Sequence, residues 1–130
     1  MSKKPNKCSL VDITVPHAAH EQARRFYAKT FGWSVNIDLP GYPVFGTGDG
    51  GAEVGIMWEG NPESPTDFTS IWQVNKPVPF LDTDDIDATA AEVEANGGKV
   101  IAPPRTVGPI RVGAFQDPWG NDWFLIQQAV

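Results

Sequence analysis

The side chains able to do chemistry in this chain are few and scattered. Its two histidines, His17 and His20, stand three residues apart, and such a pair can bind a metal or pass a proton near neutral pH. No carboxylate partner accompanies them in the sequence, so they also read as a plain loop with His20 near a helix N-cap. Asp12, Glu53, Glu59 and Asp82 are the candidate carboxylates for proton transfer, which requires one pKa raised by burial or by a like charge. Asp82, Asp84, Asp85 and Asp87 also form a charge run, which reads as a solvated helix start supported by the helix dipole. Cys8 has no activating motif around it and reads as a packed thiol beside a strand. Near the C-terminus, Asp117-Pro118-Trp119-Gly120 suits a type I turn, with Pro fixing φ and Gly closing the turn. An apolar strand follows and stops at an amide, Gln127.

Composition limits what these groups can serve. A chain of 130 residues is one domain's worth and can bury roughly two-thirds of its unfolded surface. A formal net charge of -6, with no Lys/Arg cluster beyond the short N-terminal tail, argues against nucleic acid as a partner. No apolar run approaches the ~18 residues of a membrane span, so no membrane partner is expected. The basic start, Lys3-Lys4-Pro5-Asn6-Lys7, runs into an alternating segment and not into a signal-peptide core. With a lone cysteine this fits a cytoplasmic, reducing location. Five tryptophans suit either a core or the lining of a small-molecule pocket.

The elements that must position these groups come in two similar series. Ser9–Val15 alternates as a half-buried strand does. Ala23, Phe26, Tyr27, Thr30 and Phe31 keep the spacing of an amphipathic helix over 21–31, and Gly32 is placed to end it. Strands are expected over 33–39, 44–47 and 52–58, with turns at Pro40–Pro43 and Gly48–Gly51. Gly60–Thr66 reads as a linker, and Ser70–Asn75 as one more short strand. The series then restarts with a strand over 78–81, a helix over 88–96 stopped by Gly97-Gly98, a strand over 99–101, a turn at Pro103-Pro104, and strands over 110–116 and 123–127.

An offset of 65 places Ala23 on Ala88, Gly32 on Gly97 and Val35 on Val100. Near the ends the offset grows to 68, bringing Asp49 onto Asp117 and Glu59 onto Gln127. A shared strand, helix stop and following strand suggest duplication of one β-α-β-β-β unit. Two such units side by side can enclose a cleft.

Ala23-Arg24-Arg25-Phe26-Tyr27 to Phe31-Gly32-Trp33, Asp85-Ile86-Asp87-Ala88 to Gly97-Gly98-Lys99-Val100, and the late turn Asp117-Pro118-Trp119-Gly120-Asn121 resemble the vicinal oxygen chelate superfamily. That superfamily includes glyoxalase I, extradiol dioxygenases, fosfomycin-modifying enzymes and metal-free bleomycin-resistance proteins. The resemblance covers about 10–127 and implies an α+β fold of two tandem βαβββ modules, about 8–59 and 70–128 with a linker over 60–69, forming a curved mixed sheet around a cleft.

In the family's enzymes one metal is held from four strand positions. Carried over, these fall on Asp12, Glu59, Pro77 or Val78, and Gln127, of which Pro77 and Val78 offer no donor. Asp12, Glu59 and Gln127 would supply three oxygens, suited to a hard divalent ion. The leading expectation is therefore a metal-free small-molecule binder without a cofactor, its cleft lined by Asp12, Trp58, Phe80, Phe115, Trp123 and Gln127. The alternative is a lyase or isomerase like glyoxalase I, or a dioxygenase-like enzyme, using Mg, Mn, Ni or Zn with Glu59 as the base. If Trp58 packs beneath the helices, Met57 and Glu59 face the cleft. The resemblance further implies a homodimer.

Overall fold

Alternation in the first segment becomes a strand because Asp12 and Thr14 turn to one face of the chain while Val11, Ile13 and Val15 turn to the other. The structure, a computed structural model, describes residues 4–39, 41–62 and 67–128. Its elements are β1 (Cys8–Val15), a 3₁₀ turn (His17–Ala19), α1 (His20–Phe31), β2 (Ser34–Leu39), β3 (Tyr42–Gly46), β4 (Glu53–Trp58), β5 (Val78–Asp82), α2 (Ile86–Ala95), β6 (Lys99–Val107), β7 (Ile110–Gln116) and β8 (Asp122–Gln128). The order βαβββ thus occurs twice, giving an α+β fold.

Residues 9–78 form one compact unit, and the remaining described residues form the other. In the first unit the strand order is β2-β3-β4-β1, with β1 and β4 parallel and the other neighbours antiparallel. In the second it is β5-β8-β7-β6, with β5 and β8 parallel. Each helix opens the crossover that a parallel pair requires, and the two strands that follow it complete the connection.

The helix ends follow from local chemistry. Gly32 adopts φ 72°, a left-handed conformation that costs glycine little, and donates its N–H to Ala28 O at 3.0 Å. At the start of α2, Asp85 Oδ1 accepts the N–H of Ala88 at 3.1 Å. One face of α2 closes the second unit's core, where Ile86, Ala90, Phe115 and Leu125 are buried against Leu81, Val93, Val100 and Trp123. In the first unit Trp33 links helix to sheet, stacking on Tyr27 at 5.4 Å and meeting Phe45 at 6.4 Å between ring centroids.

Four local expectations change. Ser70–Asn75 is a series of turns with an isolated bridge between Gln73 and Lys76, because Asn75 takes φ 69° and breaks any extended run. Pro103 and Pro104 lie inside β6 and do not make a turn. β6 is an edge strand, where a missing N–H costs no ladder bond, and its register with β7 shifts between Ala102 and Arg105. Tyr42 and Pro43 belong to β3 and not to the preceding turn, of which Pro40 lies outside the described residues. Finally, residues 67–69, at the end of the segment expected as a linker, belong to the first unit with Phe68 buried, as does the buried Ile71; 63–66 lie outside the described residues.

Candidate functional site

In the first unit Phe45 faces α1, so alternation turns Val44 and its partner Gly55 to the opposite, helix-free face. Asp12 pairs in register with Gly55, and Thr14 with Met57. Asp12, Thr14, Tyr42, Gly55 and Met57 therefore share the helix-free face. Asp12 is fully buried there. Tyr42 donates its hydroxyl to Asp12 Oδ1 at 2.6 Å, and Trp72 donates its indole N–H to Oδ2 at 2.9 Å. Gly55 makes this possible, since a Cβ at that position would come within 2.6 Å of the Tyr42 hydroxyl and meet Asp12 Oδ1 as well.

Among the described residues no Lys, Arg or His side chain pairs with the Asp12 carboxyl. Burial pushes its pKa up from 3.8 to about 7, against the opposing effect of the two donated hydrogen bonds. Burial likewise raises the Tyr42 hydroxyl, and the neighbouring Asp12 charge adds to the effect. Beside them, Thr14 is 5% exposed and its Oγ1 has no hydrogen-bond partner.

The remaining sequence candidates take varied places. Glu59 lies beyond the end of β4, exposed, its backbone N–H bonded to Val15 O at 2.9 Å. Trp58 pairs with Val15 and stacks on His17 at 4.1 Å, on the helix side of β4, while Met57 takes the helix-free side. His20 is buried, with Nε2 3.1 Å from Ile56 O.

In the second unit Phe115 and Trp123 face α2 and stack on each other at 6.3 Å. Gln127 lies on that same side, and its Oε1 accepts the N–H of Ile86 at 2.8 Å. The face of β8 away from α2 carries Phe124, whose ring stacks on Phe80 at 4.6 Å.

A shared metal does not fit the three oxygen-bearing candidates. The Asp12 carboxyl is engaged by Tyr42 and Trp72, the Gln127 oxygen by the first turn of α2, and Glu59 stands exposed past its strand. Among the described residues no three His, Cys, Asp or Glu side chains gather where they could hold an ion.

Tyr42, Gly55 and Thr14 were not legible as site residues, because Asp12 meets Tyr42 across 30 residues and Trp72 across 60. The one available hint was Gly55, a glycine inside a strand pattern, which signals close approach of another group.

Residues 9–125 match the Glyoxalase/Bleomycin resistance protein/Dioxygenase superfamily. No curated protein sequence matches the chain. Among solved structures, methylmalonyl-CoA epimerase from Mycobacterium tuberculosis superimposes with a TM-score of 0.75 at 14% identity, covering 100% of this chain and 93% of its own. A Streptomyces coelicolor methylmalonyl-CoA epimerase variant in complex with 2-nitronate-propionyl-CoA gives 0.70 at 19% identity, covering 98% and 100%. A hypothetical protein from Bacillus halodurans C-125 gives 0.69 at 18%, covering 96% of both chains. At these identities the similarity concerns the fold.

Proposed function

The chain belongs to the Glyoxalase/Bleomycin resistance protein/Dioxygenase superfamily, and from that premise we propose that it binds a small organic molecule without a divalent metal at the site. The observation that carries this reading is the Asp12 carboxyl, held on the helix-free face of the first unit with both its oxygens engaged by Tyr42 and Trp72. A buried polar cluster of this kind gives a ligand orientation and specificity, and the aromatic groups around it provide contact area. Trp58, Phe80, Phe115, Trp123 and Gln127 remain secondary candidates, and their contacts with other side chains and with α2 favour a supporting role.

A homodimer in the cytoplasm completes the reading. Phe26, Phe31, Val35, Ile37 and Leu39 are exposed in the first unit and give it an apolar surface suited to a second copy. No helix among the described residues is long and apolar enough to cross a membrane.

The second reading is an enzyme of the lyase, isomerase or dioxygenase-like kind. It is favoured by the pKa of about 7 at Asp12, a value suited to moving a proton at neutral pH. In that case Asp12, and not Glu59, is the proposed proton-transfer group.

Two measurements test the proposal. Metal content after equilibration with Mg²⁺, Mn²⁺, Ni²⁺ and Zn²⁺ is expected to stay well below one ion per chain, and one ion lost in Asp12→Ala, Glu59→Ala and Gln127→Ala alike would overturn the metal-free reading. A thermal-shift panel of small aromatic and acyl compounds is expected to give saturable stabilisation; a panel without any binder counts against a binding role. Exchange of the α-hydrogen of an acyl thioester for deuterium would favour the enzyme.

A further inference from the structure

The segment over Asp12 is not a strand of the sheet. Residues 67–71 are turns, Gln73 and Lys76 make an isolated bridge, and the backbone bonds of Ile71 and Trp72 close locally on Phe68 O at 2.9 and 3.2 Å. What it lays on the helix-free face is the Trp72 side chain. Phe68 and Ile71 are buried, and the indole of Trp72 stands edge-on to Phe68 at 5.7 Å while its N–H reaches Asp12.

Two hydrogen-bonding capacities beneath it exceed what the fold uses. The Asp12 carboxyl has more hydrogen-bonding positions than are used by the two side-chain donors that reach it among the described residues, the Tyr42 hydroxyl and the Trp72 indole. Thr14 Oγ1, one step along the same face of β1, is buried without a partner. A buried hydroxyl left unpaired and a buried acid without a cation both cost stability, and apolar side chains of similar volume would close the same space at less cost. An unsatisfied buried group calls for an explanation, and a ligand that bonds to it supplies one.

We propose that the face carrying Asp12 and Thr14 is a ligand site occupied from within by Trp72, and that a small planar aromatic with a ring N–H takes the place of Trp72 when residues 67–76 lift away. The indole marks the ligand chemistry: a flat ring with one donor aimed at Asp12 Oδ2, edge-on to Phe68. The partner proposed for a second polar atom on the incoming ring is Thr14 Oγ1, two residues along β1 from Asp12 and unpaired among the described residues. The occupant that seals the site thus competes with the ligand, and apparent affinity falls by the fraction of molecules in which the segment is lifted. This inference rests on the small-molecule reading of the same face and names the ligand class and its internal competitor.

The test uses the whole chain labelled with ¹⁵N at the tryptophan indoles, with benzimidazole and indole as probes. The Trp72 signal is assigned by its loss in Trp72→Phe, and the remaining indole signals report whether each variant is folded. In the wild type, benzimidazole is expected to shift the Trp72 signal saturably toward the position of a solvent-exposed indole. Trp72→Phe removes the competing hydrogen bond and is expected to bind benzimidazole roughly tenfold more tightly. Thr14→Val removes a partner that Trp72 does not use and is expected to weaken benzimidazole binding by a similar factor, and Thr14→Ala serves as the second probe of the site if Thr14→Val does not fold. A Trp72 signal that stays in place at saturating probe, or binding indifferent to Trp72→Phe and to the site variant, overturns the inference. If other compounds bind in the thermal-shift panel without moving the Trp72 signal, the small-molecule reading stands and this inference alone falls.

Discussion

Gln127 reaches across from β8 to α2, its Oε1 accepting the backbone N–H of Ile86 at 2.8 Å. The first N–H groups of a helix have no partner within the helix, and here a side chain from the neighbouring sheet supplies one. Asp85 supplies the next by accepting from Ala88, so the start of α2 is capped twice.

Gln127→Ala should therefore act as a loss of cap. It is expected to cost about 1 kcal/mol of stability in urea unfolding and to leave Mn²⁺ retention unchanged. A variant of unchanged stability that lost a bound ion would reverse the assignment.

Asp12 predicts an unusual dependence on pH. Its folded pKa, about 7, lies above the ordinary 3.8, so between these values the folded protein holds a proton that the unfolded chain releases. The contribution to stability is fully present below about pH 4 and is lost as pH rises through 7, a change on the order of 4 kcal/mol. Urea midpoints of the wild type and Asp12→Asn at pH 5 and pH 8 should show the wild type losing ground to the variant at the higher pH. Parallel behaviour of the two proteins would mean that Asp12 is charged in the fold or that water reaches it.

Gly55→Ala places a methyl group where the Tyr42 hydroxyl and Asp12 meet. Overpacking of this kind typically costs 1–3 kcal/mol. The expected signature is lowered stability together with a weaker pH dependence, because Asp12 must shift toward water. Gly55 is not among the glycines of positive φ, so the cost is one of crowding and not of backbone strain.

In the second unit, Phe124→Ala removes a fully buried ring stacked on Phe80 and is expected to cost about 3–5 kcal/mol. A loss below about 1 kcal/mol in thermal or urea unfolding would show that this face is less well packed than the structure indicates.

The sequence revealed the elements better than the site. Helix periodicity and the glycine stops were sufficient for α1 and α2, and Gly32 and Gly97, aligned by the offset of 65, both adopt positive φ. Strand faces were a different matter. A displacement of one residue moves a side chain to the other face, so the offset that paired Glu59 with Gln127 could not say where either points. Gln127 turns to α2, and Glu59 falls past the end of β4. Asp12 was found as a position, but its surroundings were not. Tyr42 falls in an expected turn and Trp72 in an expected strand, and the bonds they make to Asp12 are tertiary, with no local pattern to announce them.

The two prolines inside β6 bear on how copies of this chain meet in concentrated solution. β6 is the edge of the second unit's sheet, and with Pro103 and Pro104 in its middle it cannot present an unbroken row of N–H donors to a foreign strand. At the edge of the first unit's sheet, β2 carries no proline and exposes Val35, Ile37 and Leu39. Strand-to-strand recruitment is therefore shut at β6 and open at β2, where the apolar surface proposed for a second copy lies, so a charged residue in place of Ile37 should lower self-association through that edge.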